Sequence, residues 1–135
     1  MGAWYSVGVM FGLGTAIGIA MSAALRRLTF ALLIAIAVAV VIGALVWGWP
    51  QAAGGLVGAA FGVLGAMPVV VGTLRRGGTR GGTATLLGGA ALGVAVLAFV
   101  PVVGYLEAVA VLVLGTRLRR RAPDTHAGLR TLARD

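Results

Sequence analysis

One acidic side chain is the residue most suited to chemistry in this sequence. Glu107 is the only ionisable residue inside an apolar run, and a carboxylate within a membrane costs about 2.5–3.5 kcal/mol on insertion scales. Such residues are functional candidates by default, so we predict a protonatable or cation-binding site at Glu107. The expected partners are the hydroxyl side chains of Thr15, Ser22 and Thr85, or Glu107 of a second copy. The alternative is an acid that stabilises a hairpin by accepting hydrogen bonds from backbone groups near Pro101.

A basic, glycine-rich loop is the second candidate site. Arg75, Arg76 and Arg80 flank a Gly-Gly-Thr sequence at positions 77–79. Backbone amides of such a loop, together with guanidinium groups, can hold a lipid phosphate, so we predict lipid-phosphate binding by these three arginines. The alternative is a flexible turn whose arginines only mark the cytoplasmic side of a membrane. The loop lacks the Gly-Lys-Ser/Thr sequence of a nucleotide-binding phosphate loop.

The sequence has few residues that could form a catalytic, metal or nucleic-acid site. The sequence has no cysteine, one histidine (His126) and three acids that lie far apart along the chain: Glu107, Asp124 and Asp135. This set offers neither a cluster of metal ligands nor a nucleophile with a base, so we expect no enzyme activity, no metal and no cofactor. The 11 basic residues are all arginines at the ends of apolar runs or in the tail. They are not interleaved with stacking aromatics, so we expect no nucleic-acid partner.

Composition predicts that the chain lies in a membrane. Of its 135 residues, 60% are apolar and 10% are charged, and the mean hydropathy is +1.06, whereas a soluble domain carries about 25% charged residues. About 20 apolar residues cross a bilayer as a helix. The long apolar runs are Gly2–Leu25, Leu28–Trp49, Ala52–Leu74 and Thr83–Thr116. Because Pro101 interrupts the last run, we predict two short crossings there, Thr83–Val100 and Val102–Leu118. A re-entrant hairpin is the alternative.

The positions of the arginines predict how these helices are oriented. Short arginine-rich loops stay on the cytoplasmic side, and the basic clusters lie at 26–27, 75–80 and 117–121. Five crossings, with the N-terminus outside and the C-terminus inside, satisfy all three clusters. Five aromatic residues then fall at the outer interface, as is usual: Trp4, Tyr5, Trp47, Trp49 and Tyr105.

The predicted fold class is therefore an all-α integral membrane protein. A five-helix transmembrane domain is expected over residues 1–121, followed by a basic cytoplasmic tail over 122–135. The abundance of Ala, Gly, Val and Arg without any Lys is typical of GC-rich bacterial sequences. We accordingly expect the bacterial cytoplasmic membrane as the location and membrane lipids as partners.

Glycines at four-residue spacing predict how the helices pack. In lipid, small residues let two helix backbones approach closely, and this contact drives association. Such glycines occur in the first, third and fourth predicted helices: Gly8 and Gly12, Gly14 and Gly18, Gly54, Gly58 and Gly62, and Gly89 and Gly93. We predict that these three helices form a tight core. The second helix is bulky and β-branched, and is predicted to face lipid or a partner subunit.

An internal repeat accompanies this pattern. Four features recur with an offset of 49 to 51 residues: Phe11-Gly12 as Phe61-Gly62, Leu25-Arg26-Arg27 as Leu74-Arg75-Arg76, Gly43 as Gly93, and Pro50 as Pro101. Parallel repeats occur in transporter folds. The alternative is that there was no duplication. Two helix pairs with the same orientation in the membrane would then have arginine and proline at equivalent ends because of that orientation alone.

Two functions are consistent with these features. The first is a homo-oligomeric channel or transporter for a small solute or ion, with Glu107 as its protonatable or cation-binding group. The second is a non-catalytic membrane subunit or scaffold that binds lipid or a larger membrane complex. It is favoured by the scarcity of polar residues that could line a passage.

Overall fold

Helices make up nearly all of the described chain. The computed structural model describes residues 2–25, 27–100 and 102–121. Pro101 at the predicted hairpin and the predicted tail at 122–135, with His126, lie outside these residues. The described chain forms five helices: α1 Ala3–Ala24, α2 Leu28–Val46, α3 Trp49–Arg75, α4 Arg80–Leu97 and α5 Val103–Arg121. The all-helical fold is confirmed, and α1 to α4 are each long and apolar enough to cross a membrane.

The chain turns between α2 and α3 earlier than the position of Pro50 predicts. α3 begins at Trp49 and has Pro50 in its first turn. Backbone N–H groups in a first turn have no acceptor within the helix, so a proline there breaks no hydrogen bond. The turn contains Gly48, whose φ of 112° is readily adopted only by glycine. α2 therefore ends at Val46 and not at Trp49.

α4 also begins before its predicted start at Thr83. Oγ1 of Thr79 accepts a hydrogen bond from the N–H of Gly82 at 3.2 Å, and a threonine in this position satisfies one of the free donors of a first turn. The helix consequently starts at Arg80 and ends at Leu97. It is shifted toward the N-terminus relative to the predicted range Thr83–Val100.

α3 and α5 differ in how well they suit a membrane. α3 continues through Pro68 to Arg75 as a helix of 27 residues. The apolar part of α5 ends before Arg117, and is shorter than the roughly 20 residues that a crossing needs. For this reason α5 is the one described helix that does not qualify as a membrane span by length and composition.

α1 and α3 pack through their backbones. A Cβ added to any of four glycines would collide with a main-chain carbonyl of the facing helix: Gly14, Gly18, Gly58 and Gly62. Any larger residue there would force the helices apart, and close approach of this kind is what holds helices together in lipid. The glycine rows of α1 and α3 thus face each other at the most buried contact of the fold.

α2 packs along a row of small residues and turns its bulky residues outward. Ala31, Ala35 and Ala39 are completely buried. A Cβ added at Gly43 would lie 2.7 Å from Cα of Ala52 in α3. The outward residues are larger: Leu33, Ile34, Val38 and Val41. α2 therefore presents a wide apolar surface away from the bundle.

α4 differs from the prediction because its glycines face away from the other helices. Nothing lies within 4 Å of a Cβ added at Gly89 or Gly93, and the helix buries Thr83 and Ala91 instead. The prediction that Gly89 and Gly93 pack into the core is wrong. Four-residue spacing identifies a face of small residues, but it does not say which way that face points.

α5 makes the close contacts that were predicted for α4. A Cβ added at Gly104 would collide with the carbonyl of Gly8 in α1, and one added at Gly115 would collide with the carbonyl of Gly65 in α3. α5 thus lies against both α1 and α3, while its contact with α4 is slight. This arrangement determines the position of Glu107.

Candidate functional site

Glu107 lies one turn into α5, beside the row of residues that packs on α1. Gly104 and Ala108 of this row are buried, and the ring of Tyr105 covers Gly8. Tyr105 and Glu107 are two residues apart, or about 200° around the helix, so they flank the row on opposite sides. The packing of the row therefore fixes the backbone that carries Glu107.

The carboxylate of Glu107 is shielded and has no hydrogen-bond partner among the described residues. Both of its oxygens are buried, and neither has a hydrogen-bond partner among the described residues. An ionised carboxylate away from water needs a charged partner or several hydrogen bonds to offset its lost hydration. A proton or a cation would supply what the described side chains and backbone do not.

The structure does not bring the predicted hydroxyl partners to Glu107. Thr15, Ser22 and Thr85 each donate a hydrogen bond of 2.9 Å to a carbonyl one turn earlier in their own helix, as hydroxyls within helices often do. Ser22 lies near the end of α1 and Thr85 near the start of α4, whereas Glu107 lies near the start of α5. These two are therefore at the other end of the bundle.

The predicted contact with Glu107 of a second copy remains a prediction, and the hairpin backbone is the other predicted partner. Both carboxylate oxygens are shielded within one copy, although the Glu107 side chain as a whole is half-buried. Backbone donors of the hairpin are engaged, since the N–H groups of Val103, Tyr105 and Leu106 donate to hairpin carbonyls at 3.2–3.4 Å. The predicted hairpin-stabilising hydrogen bonds to Glu107 are not observed.

Hydrogen bonds from two tyrosine hydroxyls connect the α4–α5 hairpin to the start of α1. Oη of Tyr105 donates to the carbonyl of Trp4 at 2.7 Å, and Oη of Tyr5 donates to the carbonyl of Phe99 at 2.8 Å. The ring of Phe11 lies 5.5 Å from that of Tyr105. The sequence indicated only interfacial aromatics here, because nothing in it shows which carbonyl a tyrosine hydroxyl will reach.

Gln51 is a buried polar residue that the sequence analysis did not single out. It is 7% exposed, and its Nε2 donates to Oγ of Ser6 at 2.8 Å. Its Oε1 has no partner within the part of the chain that the structure describes. This bond joins the first turn of α3 to that of α1. The available signal was an amide directly after Pro50, at the start of an apolar run.

Two of the three predicted lipid-phosphate arginines line a cavity. The cavity has a volume of about 470 Å³ and lies beside the second half of α3. Arg75 and Arg76 line it together with Arg119 of α5, whereas Arg80 begins α4 and is not part of the lining. Its apolar wall comes from α2, α3 and α5 and includes Leu28, Leu64, Pro68, Val71 and Leu118. We call this cavity the arginine groove.

Neither a metal cluster nor a relative identifies the chemistry of these sites. Within residues 2–25, 27–100 and 102–121, no three His, Cys, Asp or Glu side chains are grouped so that they could hold a metal ion. The chain matches no protein family, and no curated protein or solved structure is detectably similar to it.

Proposed function

We propose that this chain is a small polytopic membrane protein that works as a homo-oligomeric channel or transporter for a small solute or ion. Glu107 is its protonatable or cation-binding group. The observation that carries this proposal is the carboxylate of Glu107, whose two oxygens are buried without a hydrogen-bond partner among the described residues. An ionised carboxylate that is shielded from water without hydrogen bonds is costly, and a functional role explains its presence.

A proton is the first ligand to consider for Glu107. The two oxygens are shielded by packed helices, and a proton needs no additional volume. Binding a larger cation requires α5 to move away from its neighbours. The slight contact between α4 and α5 leaves that side of α5 the least restrained, so α5 is the element that we expect to move.

The proposed arrangement in the membrane has five crossings, with the N-terminus outside and the C-terminus inside. Four helices of sufficient length support α1 to α4 as crossings. The arginines at the ends of α3 and α5 support placing both ends on the cytoplasmic side, because arginines remain there, and this requires the shorter α5 to cross as well. The bacterial cytoplasmic membrane is the proposed location.

The test is ion flux through the full chain reconstituted in liposomes. A pH-sensitive dye inside the vesicles reports proton movement, and imposed sodium and potassium gradients test the two cations. We expect the wild-type chain to dissipate at least one gradient faster than protein-free vesicles. We expect Glu107→Gln to abolish the protein-dependent part of that flux, since the amide has a similar size but cannot ionise.

Thr116→Val is the matched control for this experiment. Thr116 lies on the same helix and is exposed. Its hydroxyl donates a hydrogen bond to the carbonyl of Val113 at 2.9 Å. The flux of Thr116→Val should therefore equal that of the wild type. Equal flux in Glu107→Gln and wild type would remove Glu107 from the transport role. Absence of flux in the wild-type chain for every solute tested would remove the transport function altogether.

A non-catalytic membrane subunit or scaffold is the second candidate. The observation that favours it is the outward face of α4, where Gly88, Gly89 and Gly93 have open space around them. A helix of another protein can approach a backbone closely at such a face. A stoichiometric partner that stays bound through purification, together with flux-free vesicles, would support this function over transport.

A further inference from the structure

The arginine groove combines a basic mouth with an apolar wall. Arg75 ends α3, Arg76 follows it as the cap residue, and Arg119 lies on α5, so three arginines from two helices line one cavity. Within the described lining there is no acidic side chain to neutralise them. This arrangement is not a property of one loop, because it depends on how α5 packs on α3.

Arg76 is folded back over its own helix. A Cβ added at Gly72 would lie 3.5 Å from one terminal guanidinium nitrogen of Arg76, and Gly72 itself lines the groove. The guanidinium group of Arg76 therefore lies beside α3 at the level of Gly72. This conformation directs a positive charge toward the apolar wall and not only toward bulk water.

The apolar wall is open to the surroundings of the bundle. Leu28, Leu64, Val71 and Leu118 are between 40% and 51% exposed, and Pro68 lies between the two exposed residues of α3 along the groove. The cavity volume of about 470 Å³ is within the range of roughly 300–1,000 Å³ typical of small-molecule sites. In a bilayer, the occupant of such a lateral opening enters from the lipid.

We propose that the arginine groove binds one anionic phospholipid. The phosphate is held by Arg75, Arg76 and Arg119, and the first part of an acyl chain lies against Pro68 and its apolar neighbours. Arginine suits this task because its planar guanidinium group bonds phosphate oxygens in pairs. Basic pockets between helices on the cytoplasmic side of a membrane recognise anionic headgroups in this way.

The groove is separate from the Glu107 site. Leu118 is eleven residues beyond Glu107 on α5, which corresponds to roughly 16 Å along the helix. Lipid binding therefore does not depend on the proposed transport function, and each proposal can fail without the other.

Native mass spectrometry of the full chain released from detergent micelles tests this proposal. The probes are phosphatidylglycerol and phosphatidylcholine of matched acyl chains, each added at the same ratio to protein. We expect one phosphatidylglycerol to remain bound per chain, and phosphatidylcholine to bind more weakly. In Arg76→Gln/Arg119→Gln we expect the affinity for phosphatidylglycerol to fall about 30-fold. This equals about 2 kcal/mol at 1.4 kcal/mol per factor of ten, as expected for two arginines.

The matched control is Arg80→Gln/Arg117→Gln. Both arginines are exposed and neither lines the groove, so this variant loses the same charge and should keep wild-type affinity. A third variant, Gly72→Leu, fills the groove without removing any charge, and should lower phosphatidylglycerol occupancy. Because these positions are at the surface or in the cavity, far-UV circular dichroism of all variants should match the wild type.

Three results would overturn the proposal. Equal binding of the two lipids to the wild type would show that the headgroup charge is not recognised. An equal loss of affinity in the control variant would show that only net charge matters. Displacement of the lipid by excess inorganic phosphate would show a site for a free anion instead of a phospholipid.

Discussion

Replacement of Gly58 by alanine tests the backbone contact between α1 and α3. A Cβ at this position would collide with the carbonyl of Phe11 in α1. A methyl group is the smallest change that can be made there, and alanine is a better helix former than glycine. Any loss of stability in Gly58→Ala therefore reports the helix–helix contact and not the helix itself.

The expected magnitude follows from two opposing effects. Alanine favours the helix by about 1 kcal/mol relative to glycine. Overpacking of a filled interior costs about 1–3 kcal/mol, and the upper value applies at Gly58 because the obstacle is main chain, which cannot rotate away as a side chain can. We expect Gly58→Ala to lower the free energy of unfolding by about 2 kcal/mol.

Gly89→Ala is the matched control on α4. Nothing lies within 4 Å of the added methyl group, so only the helix-forming gain of about 1 kcal/mol remains. The two variants should therefore differ by about 3 kcal/mol in free energy of unfolding. The difference is measurable by titrating the full chain in mixed micelles with dodecyl sulfate and following far-UV circular dichroism. If Gly58→Ala were as stable as Gly89→Ala, the close approach of α1 and α3 would be refuted.

Two further predictions concern single hydrogen bonds. Tyr105→Phe removes the bond to the carbonyl of Trp4, and should lower the free energy of unfolding in the same titration by about 0.6–1 kcal/mol, as is usual for such bonds; an unchanged midpoint would contradict the role of this bond. Thr79→Ala removes the cap of α4, and should destabilise its first turn by about 1 kcal/mol, which amide hydrogen exchange at Gly82 and Thr83 would report as faster exchange. Thr79→Ser retains the acceptor oxygen and should exchange as the wild type does.

The ends of the first three helices were predictable to within a few residues. An apolar run and the arginine or proline that ends it are visible in the local sequence. The predicted run Gly2–Leu25 became α1 at Ala3–Ala24, and Ala52–Leu74 became α3 at Trp49–Arg75. The errors came from residues whose effect depends on their place in a turn. Pro50 was expected to end the second helix, but it lies in the first turn of α3. α4 begins before Gly81 and Gly82 because Thr79 caps it.

The packing and the sites were less predictable because they depend on which side of a helix meets its neighbours. Gly14 and Gly18 have the same spacing as Gly89 and Gly93, yet the first pair is buried against α3 and the second faces open space. The sequence grouped Arg80 with its neighbours in the loop, whereas the fold groups Arg119 with them. Glu107 was identifiable as an unusual residue, but its lack of hydrogen-bond partners is a property of the assembled helices.

The pairing of α1 with α3 has a consequence for the order in which the protein is made. α1 is synthesised first, yet the helix that covers Gly14 and Gly18 is synthesised third, and α2 also contacts α3 more extensively than α1. Before the segment around Gly58 has been synthesised, α1 and α2 can contact only each other, and that contact is smaller than the one each makes with α3. We therefore expect most of the packing of the bundle to form only after α3 has been synthesised.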